Sequence, residues 1–442
     1  NEKEQLNIVD KYVYETYGSE IFSEYDEKYN SYKKCLKDKE EFLENAKNND
    51  IDIIRFKLEE IEKYNIKENE IEYLSREFDR IYILPKTSST QEQRSLPANC
   101  IVFPPIFRSS GELVFKGLFC FSPLFYFFKK LISEKAYTSL YKFKKYIATA
   151  ITCRCILADK NFKRLNRQST ESTVYFYWGI GMAYILPFIH NKDKKIVRFH
   201  RTDLYADLRP HQYIPFRKEV FESLNKAVFI SKQGLEYAKK NFGQYKFSAY
   251  CSYLGTKDHG ISKIKNEDGV IHILSCSNVV PVKRVSLILK SLLLIPDRPI
   301  QWTHIGGGKG FNALQQQLQQ LPANLTVNLT GAITNREVIG HYLHHPVDIF
   351  VNVSASEGLP VSIMEAISFN IPVIATNVGG TNEIVTSESG VLLDPHFSAQ
   401  ELADQIVRVY EHKDRFHPRR LWEEKFNAGK NYPRFISQIL ND

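Results

Sequence analysis

The sequence lacks the paired cysteines of a zinc site, a redox motif or a disulfide framework. Its seven cysteines are odd in number and scattered along the chain: Cys35, Cys100, Cys120, Cys153, Cys155, Cys251 and Cys276. We interpret them as reduced thiols, which are typical of a cytoplasmic protein. The one Asp-x-Asp motif, Asp50 to Asp52, falls in a predicted strand, so we assign it no role in metal binding.

Long apolar segments are also missing. The first residues, "NEKEQLNIVDKYVYETYG", show no basic segment followed by an apolar one, so we expect no signal peptide. The most apolar stretch, residues 113–128, is too short for a spanning helix and is interrupted by Lys116, Ser122 and Pro123. These absences predict a cytoplasmic protein that does not cross a bilayer.

Positive charge is scarce at the start of the chain and abundant afterwards. Residues 1–80 have 14 Lys and Arg against 22 Asp and Glu, a net charge of −8. Since the whole chain has a net charge of +8, the remaining residues have a net charge of +16. Many basic residues of 129–167 adjoin the aromatic stretch 113–128. Segment 113–167 therefore predicts a peripheral contact with the inner face of an anionic membrane, or with a phosphate-bearing acceptor. A solvated basic helix face is the alternative. No recognition motif accompanies the charge, so we expect no nucleic acid partner.

Strands and helices alternate from about residue 270 to the end. "VIHILSC", "IQWTHI", "NLTVNLT", "DIFVNVS", "PVIATNV" and "GVLLD" are predicted strands, each followed by a helical pattern. The first half repeats this order less clearly, with "DIDIIRF", "FDRIYIL", "CIVFPP", "TVYFYW", "KIVRFH", "KAVFIS" and "FSAYCSYL". With 442 residues, the chain is long enough for two domains. We therefore predict an α/β protein with two facing Rossmann-like domains and a cleft between them.

The turns that follow the strands of the second half carry charges and glycines. Lys283, Arg284, Gly331, Glu357 and Gly358 all stand in such turns. In an open parallel sheet these turns lie at the carboxyl edge of the strands, where ligands bind. The sequence therefore predicts a ligand site at this edge.

The segment "SASEGLPVSIMEA" has a carboxylate on each side of a predicted helix start. Gly358 allows a ligand to approach the main chain, Pro360 suits the first helical turn, and the free amides form an anion site. Glu365 lies about 8 Å along the helix, roughly the distance from a diphosphate to a ribose. We expect Glu357, which stands before the helix, to face the other side of the phosphates, where a donated group would lie. By itself the pair is also compatible with a helix cap and a surface residue.

These residues resemble family 4 of the glycosyltransferases, which are retaining enzymes with the GT-B fold. The resemblance rests on "SASEGLPVSIMEA", "VPVKRV", "LTGAITNREV", "VGGTNEIV" and "GVLLD" in the second half. In the first half it rests on "RFHRTDLY", "YIPFRKEVF", "AVFISKQG" and "EIEYLSREFDRIYILP". The closing "WEEKFNAGKNYPRF" is similar to the tail of members that build bacterial surface polysaccharides.

The resemblance implies a hexosyltransferase that uses a nucleotide-diphosphate sugar and a saccharide or lipid-linked acceptor. It implies that Glu365 binds the ribose, that Glu357 and His200 contact the donor sugar, and that Gly331 passes near the base. The main chain of Gly358, Leu359 and Pro360 would hold the diphosphate, with Lys283 neutralising it. No cofactor or metal is expected, since Lys283 and a helix N-terminus can offset the leaving charge. His200 alone would more simply be a buried histidine.

Three departures from the family pattern leave alternatives open. Asn278 stands where many members have arginine, so one phosphate charge is unmatched unless Arg284 supplies the cation. Arg201 stands where many members have glycine. No glycine occurs between Gly18 and Gly111, where the family places a glycine-rich loop. A nucleotide-sugar epimerase on the same scaffold and a non-catalytic nucleotide-sugar binder are therefore the alternative functions.

The polar segment 255–269 links the two predicted halves, and the resemblance implies a last helix that crosses back to the first half. We predict an acceptor-side domain over 1–256, in which 1–50 form an atypical extension, and a nucleotide-sugar domain over 257–416. A helical segment, 417–442, is expected to cross back to the first domain.

Overall fold

The computed structural model describes residues 66–87, 96–119, 124–167, 172–189 and 194–440, apart from positions 263, 265 and 267. The predicted extension 1–50 and the predicted strand "DIDIIRF" lie outside these residues. Among the described residues, no helix is long and apolar enough to cross a membrane.

The described residues of the first half form two parallel sheets. A pair is formed by β1 (Ile81–Ile83) and β2 (Cys100–Val102), and a four-stranded sheet by β3 (Thr173–Phe176), β4 (Lys194–Phe199), β5 (Lys226–Phe229) and β6 (Ser248–Cys251) in that order. The helices are α1 (Ile66–Glu77), α2 (Ser110–Phe119), α3 (Leu124–Ser133), α4 (Leu140–Ala158), α5 (Lys160–Arg167), α6 (Arg217–Ser223) and α7 (Lys232–Phe242).

The second half contains one parallel six-stranded sheet. Its strands are β7 (Ile271–Cys276), β8 (Ile300–Ile305), β9 (Leu325–Gly331), β10 (Ile349–Asn352), β11 (Val373–Thr376) and β12 (Gly390–Leu393). They are arranged in the order β12-β11-β10-β7-β8-β9. The helices are α8 (Val285–Leu292), α9 (Phe311–Gln316), α10 (Asn335–His344), α11 (Val361–Ser368), α12 (Ala399–Glu411), α13 (Pro418–Lys425) and α14 (Ala428–Leu440).

Helices cover both faces of the six-stranded sheet because successive strand residues point to opposite sides. Ile349 and Val351 belong to a core cluster with α8 and α12, whereas Phe350 between them belongs to a cluster with α10, α11 and α13. Because these strands are buried on both faces, their sequences are nearly continuous apolar runs. The structure confirms the predicted α/β class with parallel sheets.

The chain passes between the two halves at two points that lie side by side. The main-chain N–H of Thr256 donates to the carbonyl of Phe426 (3.0 Å), and that of Ala428 donates to the carbonyl of Thr256 (3.0 Å). A Cβ on Gly255 would stand 2.7 Å from the main chain of Ala428, so only glycine permits this approach. Helix α14 then packs through Phe435 on a cluster of the first half.

Candidate functional site

The loop between β10 and α11 forms the centre of the candidate site. Glu357 and Gly358 precede Leu359 and Pro360, and the helix begins at Val361. Pro360 therefore stands at the N-cap and not in the first turn, one position from the prediction. Since proline has no N–H, the main-chain donors at this helix start come from the residues around it.

Glu357 is paired with a cation from the turn after β7. Its Oε1 lies 2.6 Å from Nζ of Lys283, and Nδ2 of Asn352 donates to the same oxygen at 3.3 Å. Asn352 is the last residue of β10 and is buried. The strand end and the neighbouring turn therefore fix the carboxylate before the helix start, as expected for turns at one sheet edge.

Glu365 is buried within α11 and has one hydrogen-bond donor among the described residues. Nδ2 of Asn335, at the start of α10, donates to its Oε1 at 2.7 Å. Burial raises the pKa of Glu365 to about 7, and the bond from Asn335 only partly opposes this. A second polar group bound to the carboxylate, such as a ribose hydroxyl, would favour the ionised form.

Arg284 uses its guanidinium to bind the protein. Its Nε donates to the carbonyl of Val353 (2.6 Å), Nη1 to that of Pro395 (2.8 Å), and Nη2 to Oγ1 of Thr376 (3.1 Å). Asn278, by contrast, is exposed in the loop after β7. The sequence predicted that Arg284 supplies the positive charge that is missing at Asn278. In the structure, the guanidinium of Arg284 already joins three loops of the sheet edge.

Gly331 ends β9 with a left-handed main chain (φ 70°), and its carbonyl accepts from the N–H of Gly306 at 2.9 Å. A Cβ on Gly306 would stand 1.9 Å from the carbonyl oxygen of Ser277. The glycines after β8 thus allow two loops of the sheet edge to touch.

His200 occupies the facing loop of the first half, directly after β4. Its ring stacks on Trp178, with centroids 4.0 Å apart, and its main-chain N–H donates to Oδ1 of Asp203 at 2.7 Å. Oδ2 of Asp203 accepts from the N–H of Gly179 at 2.7 Å. The buried Asp203 therefore fixes the loops after β3 and β4 together, a role that its place in the sequence did not indicate.

Arg201 brings the first half to the helix start of the second. A Cβ on Gly358 would stand 3.2 Å from Cβ of Arg201, and a Cβ on Gly379 would stand 2.2 Å from its Nη1. Burial lowers the pKa of Arg201, while the nearby Tyr205 and Glu357 oppose this shift. The only feature of the sequence that pointed to Arg201 was that many members of the family have glycine at this position.

Glu383 forms a second contact between the halves. Its Oε2 accepts from the main-chain N–H of Lys232 (2.8 Å) and from the hydroxyl of Tyr253 (2.8 Å), and its Oε1 accepts from the N–H of Gln233 (3.0 Å). A carboxylate from one half therefore caps helix α7 of the other.

Helix α3 exposes an apolar face. Leu124, Phe125, Phe128 and Ile132 are 62%, 80%, 59% and 51% exposed, and Lys129 is exposed between them. Within the predicted basic segment, however, Arg154 is buried and Lys130 is paired with Glu219. Only part of the basic cluster thus lies at the surface.

Residues 257–425 match the family model Glycosyl transferases group 1. The putative teichuronic acid biosynthesis glycosyltransferase TuaC of Bacillus subtilis is 37% identical over 119 residues, which cover 25% of this chain and 30% of the relative. The O-antigen biosynthesis glycosyltransferase WbnH of Escherichia coli is 31% identical over 119 residues, or 27% of this chain and 33% of the relative. The chain spans about a third of the length of these curated relatives.

Solved structures extend the similarity over most of the chain. Anabaena HepE in complex with UDP has a TM-score of 0.59 at 14% identity, covering 89% of this chain and 100% of that one. Sucrose-phosphate synthase from Thermosynechococcus elongatus has a TM-score of 0.63 at 14% identity, covering 88% and 98%. At such identities the similarity concerns the fold. The chain therefore has the GT-B fold, and its residues 257–425 form a domain of the glycosyl transferases group 1 type.

Proposed function

We propose that the protein is a retaining glycosyltransferase of the family 4 kind. It would move a sugar from a nucleotide-diphosphate sugar to a saccharide or lipid-linked acceptor in surface polysaccharide synthesis. The observation that carries the proposal is the pair of carboxylates around one helix start. Glu357 is held before it by Lys283 and Asn352, and Glu365 is held within it by Asn335.

In this proposal the donor lies along the edge of the six-stranded sheet. The diphosphate meets the main chain of Gly358 and Leu359 and the free amides of the first helical turn, which favour an anion. The ribose hydroxyls donate to Glu365, and the base lies against Gly331. The donor sugar then extends toward Glu357 and His200, across the cleft.

The transfer breaks the bond between the anomeric carbon and the diphosphate oxygen. The acceptor hydroxyl attacks the anomeric carbon from the face that the diphosphate leaves, and its proton passes to the leaving phosphate oxygen. Lys283 and the helix start offset the developing charge, so the proposed reaction uses no metal and no cofactor. Glu357 positions the donor sugar and does not attack it.

The first test is a thermal-shift screen with uridine-, guanosine-, adenosine- and cytidine-diphosphate sugars. A ligand that binds only the folded protein raises its melting temperature. We expect one nucleotide class to stabilise the wild type and not Glu365→Gln. Glu411→Gln, at an exposed carboxylate of α12, is the control and should respond like the wild type.

Turnover then separates the proposed transfer from the other functions. Release of the nucleoside diphosphate that depends on an added lipid-linked saccharide supports a transferase. Conversion of the donor sugar without an acceptor would show an epimerase, and binding without either reaction would show a non-catalytic binder. Each of the last two results would contradict the proposal.

We also propose that the protein is cytoplasmic and docks on an anionic bilayer through α3. Four apolar side chains on its exposed face and the exposed Lys129, Lys135, Lys144 and Lys145 nearby match a surface with an apolar interior and negative head groups. Such a position would bring the protein to a lipid-linked acceptor.

Vesicle flotation tests this docking. The wild type should float with phosphatidylglycerol-containing vesicles and less with phosphatidylcholine alone, whereas the double variant Phe125→Ser, Phe128→Ser should remain in solution. The control double variant Leu293→Ser, Leu294→Ser removes two other exposed apolar side chains, 44% and 45% exposed, and should float. Equal flotation of both double variants would contradict the assignment to α3.

A further inference from the structure

We propose that Arg201 is a donor-binding residue, contributed by the first half, that binds the diphosphate of the nucleotide sugar. The inference rests on the proposed function and adds a residue to its site. It also identifies a contact through which donor binding would hold the two halves together.

Arg201 belongs to the first half but lies beside the start of α11 in the second. The residue follows His200 in the loop after β4, and its side chain reaches the two glycine-containing turns of the second half. Its Nη1 would lie 2.2 Å from a Cβ on Gly379, and its own Cβ would lie 3.2 Å from one on Gly358. Glycine at both positions leaves room for the guanidinium beside the start of α11.

The basic side chains of the second half near the start of α11 are already bound to protein groups. The ammonium of Lys283 is already paired with Glu357 at 2.6 Å, and the guanidinium of Arg284 is bound to protein acceptors. Asn278 is neutral. A diphosphate at this helix start therefore needs a further cation, and Arg201 is placed to supply it.

The guanidinium of Arg201 has a buried donor that no described residue satisfies. Its Nε is buried and has no hydrogen-bond partner among the described residues, and no ion pair involving Arg201 occurs there. A buried donor without a partner is costly unless a ligand satisfies it. The planar guanidinium binds phosphate oxygens with two parallel N–H donors, which a diphosphate provides.

A purely structural role is the competing explanation. The guanidinium of Arg201 lies 5.9 Å from the ring centroid of Tyr205, so the side chain also packs within its own half. If packing were its main role, its loss would lower the melting temperature of the free protein. If it binds the donor, its loss would lower affinity for a diphosphate and leave the free protein at least as stable.

The experiment compares nucleoside diphosphates with nucleoside monophosphates. Dissociation constants of UDP, GDP, ADP and CDP and of the matching monophosphates are measured by calorimetry for wild type, Arg201→Gln, Arg201→Lys and Arg408→Gln. Arg408 is an exposed arginine of α12 and serves as the matched control. Melting temperatures of the four free proteins are measured alongside.

We expect Arg201→Gln to weaken binding of the preferred diphosphate roughly tenfold or more, since a charge-assisted bond is lost. Binding of the monophosphate should change about twofold or less, because the lost bond is made mainly to the outer phosphate. Arg201→Lys should fall between, because it keeps the charge and loses the fork. Arg408→Gln should match the wild type, and the melting temperatures should not fall.

Two results would overturn the inference in different ways. If the wild type binds a diphosphate, Glu365→Gln does not, and Arg201→Gln binds like the wild type, then Arg201 has no part in donor binding and the proposed function stands. If the wild type binds none of the four diphosphates, both proposals fail. Equal weakening for diphosphate and monophosphate with a lower melting temperature would assign Arg201 to packing.

Discussion

Glu365 combines burial with a position where a carboxylate is useful. Burial raises its pKa to about 7, so near neutral pH the free protein holds a mixture of the acid and the carboxylate. The carboxylate accepts hydrogen bonds on both oxygens, whereas the acid carries a donor on one of them, so the carboxylate is the form that suits two ribose hydroxyls. Ligand affinity and protein stability should therefore depend on pH in opposite ways.

Donor affinity should rise with pH. The carboxylate form is about a tenth of the total one pH unit below the pKa, so the affinity for a nucleotide-diphosphate sugar should be roughly tenfold lower there than well above pH 7. Titration calorimetry across this range measures the effect. Glu134→Gln is the control, because burial also raises the pKa of Glu134 to about 7 but its partners, Tyr213 and Phe216, lie outside the site. A flat wild-type profile would contradict the ribose assignment.

The stability of the free protein should respond in the other direction. The pKa of Glu365 in the folded protein exceeds the ordinary value of 4.5, so its ionisation lowers the free energy of unfolding as pH rises from about 4.5 through about 7. Glu365→Gln cannot ionise and should be more stable than the wild type above pH 7, by roughly 1–3 kcal/mol. The difference should shrink as the pH falls toward about 4.5 and disappear below it, where the glutamate is protonated in the unfolded chain as well. Urea unfolding at several pH values measures it, and a pH-independent difference would contradict the shifted pKa.

The sequence placed the two glutamates correctly around a helix start, because a turn and a helix period are local properties. The partners Asn335 and Asn352 were not predicted, since their contacts with Glu365 and Glu357 depend on how distant segments meet. A ligand contact was predicted for Arg284 from its position in a turn alone. Its hydrogen bonds to three loops depend on tertiary structure and were therefore not predicted.

The contact between Glu383 and helix α7 joins the two halves. Glu383→Gln retains one acceptor and loses the charge and one of the two bonds to the helix amides, so it should lower the free energy of unfolding by about 1–2 kcal/mol. Glu236→Gln is the control, because Glu236 is an exposed carboxylate of α7 itself, 72% exposed. Denaturant unfolding measures both variants, and equal effects would show that the cap contributes nothing.

Most elements of the second half were predictable from the apolar pattern. "IQWTHI" matches β8 residue for residue, and the helical pattern after "GVLLD" is α12 (Ala399–Glu411). The helical pattern after "IQWTHI" forms α9, which already ends at Gln316 because the following residues form tighter turns, in which the N–H of Gln317 donates to the carbonyl of Leu314. The short helical turns at Gly181–Phe188, which contain Pro187, have no sequence period that would have indicated them.

A buried ion pair joins α1, β4 and α14, which are far apart in the chain. The guanidinium of Arg198 is fully buried, binds the carboxylate of Glu70 and lies 4.1 Å from the ring centroid of Phe435. Tyr175 donates to the other oxygen of Glu70 at 2.7 Å. The sequence did not indicate the pair, because its members are 128 residues apart.

Removing one member of this pair should be more harmful than removing both. Arg198→Met leaves the carboxylate of Glu70 buried without its cation and should cost about 3–5 kcal/mol of the free energy of unfolding. The double variant Arg198→Met, Glu70→Met should lie closer to the wild type, since no charge remains to be desolvated. Chemical denaturation of the three proteins measures the difference. Additive losses in the double variant would contradict this account.

The paired crossings at residues 254–256 and 426–428 limit how the two halves can separate. Both covalent links lie side by side and are joined by the main-chain bonds of Thr256. A rotation that moves Arg201 away from Gly379 and keeps these bonds therefore has its axis along this pair of segments. Fluorophores beside the axis would keep their spacing during such a rotation, and fluorophores at the far rim of the cleft would move the most. Energy transfer between single pairs of dyes would then follow each opening of the cleft in time.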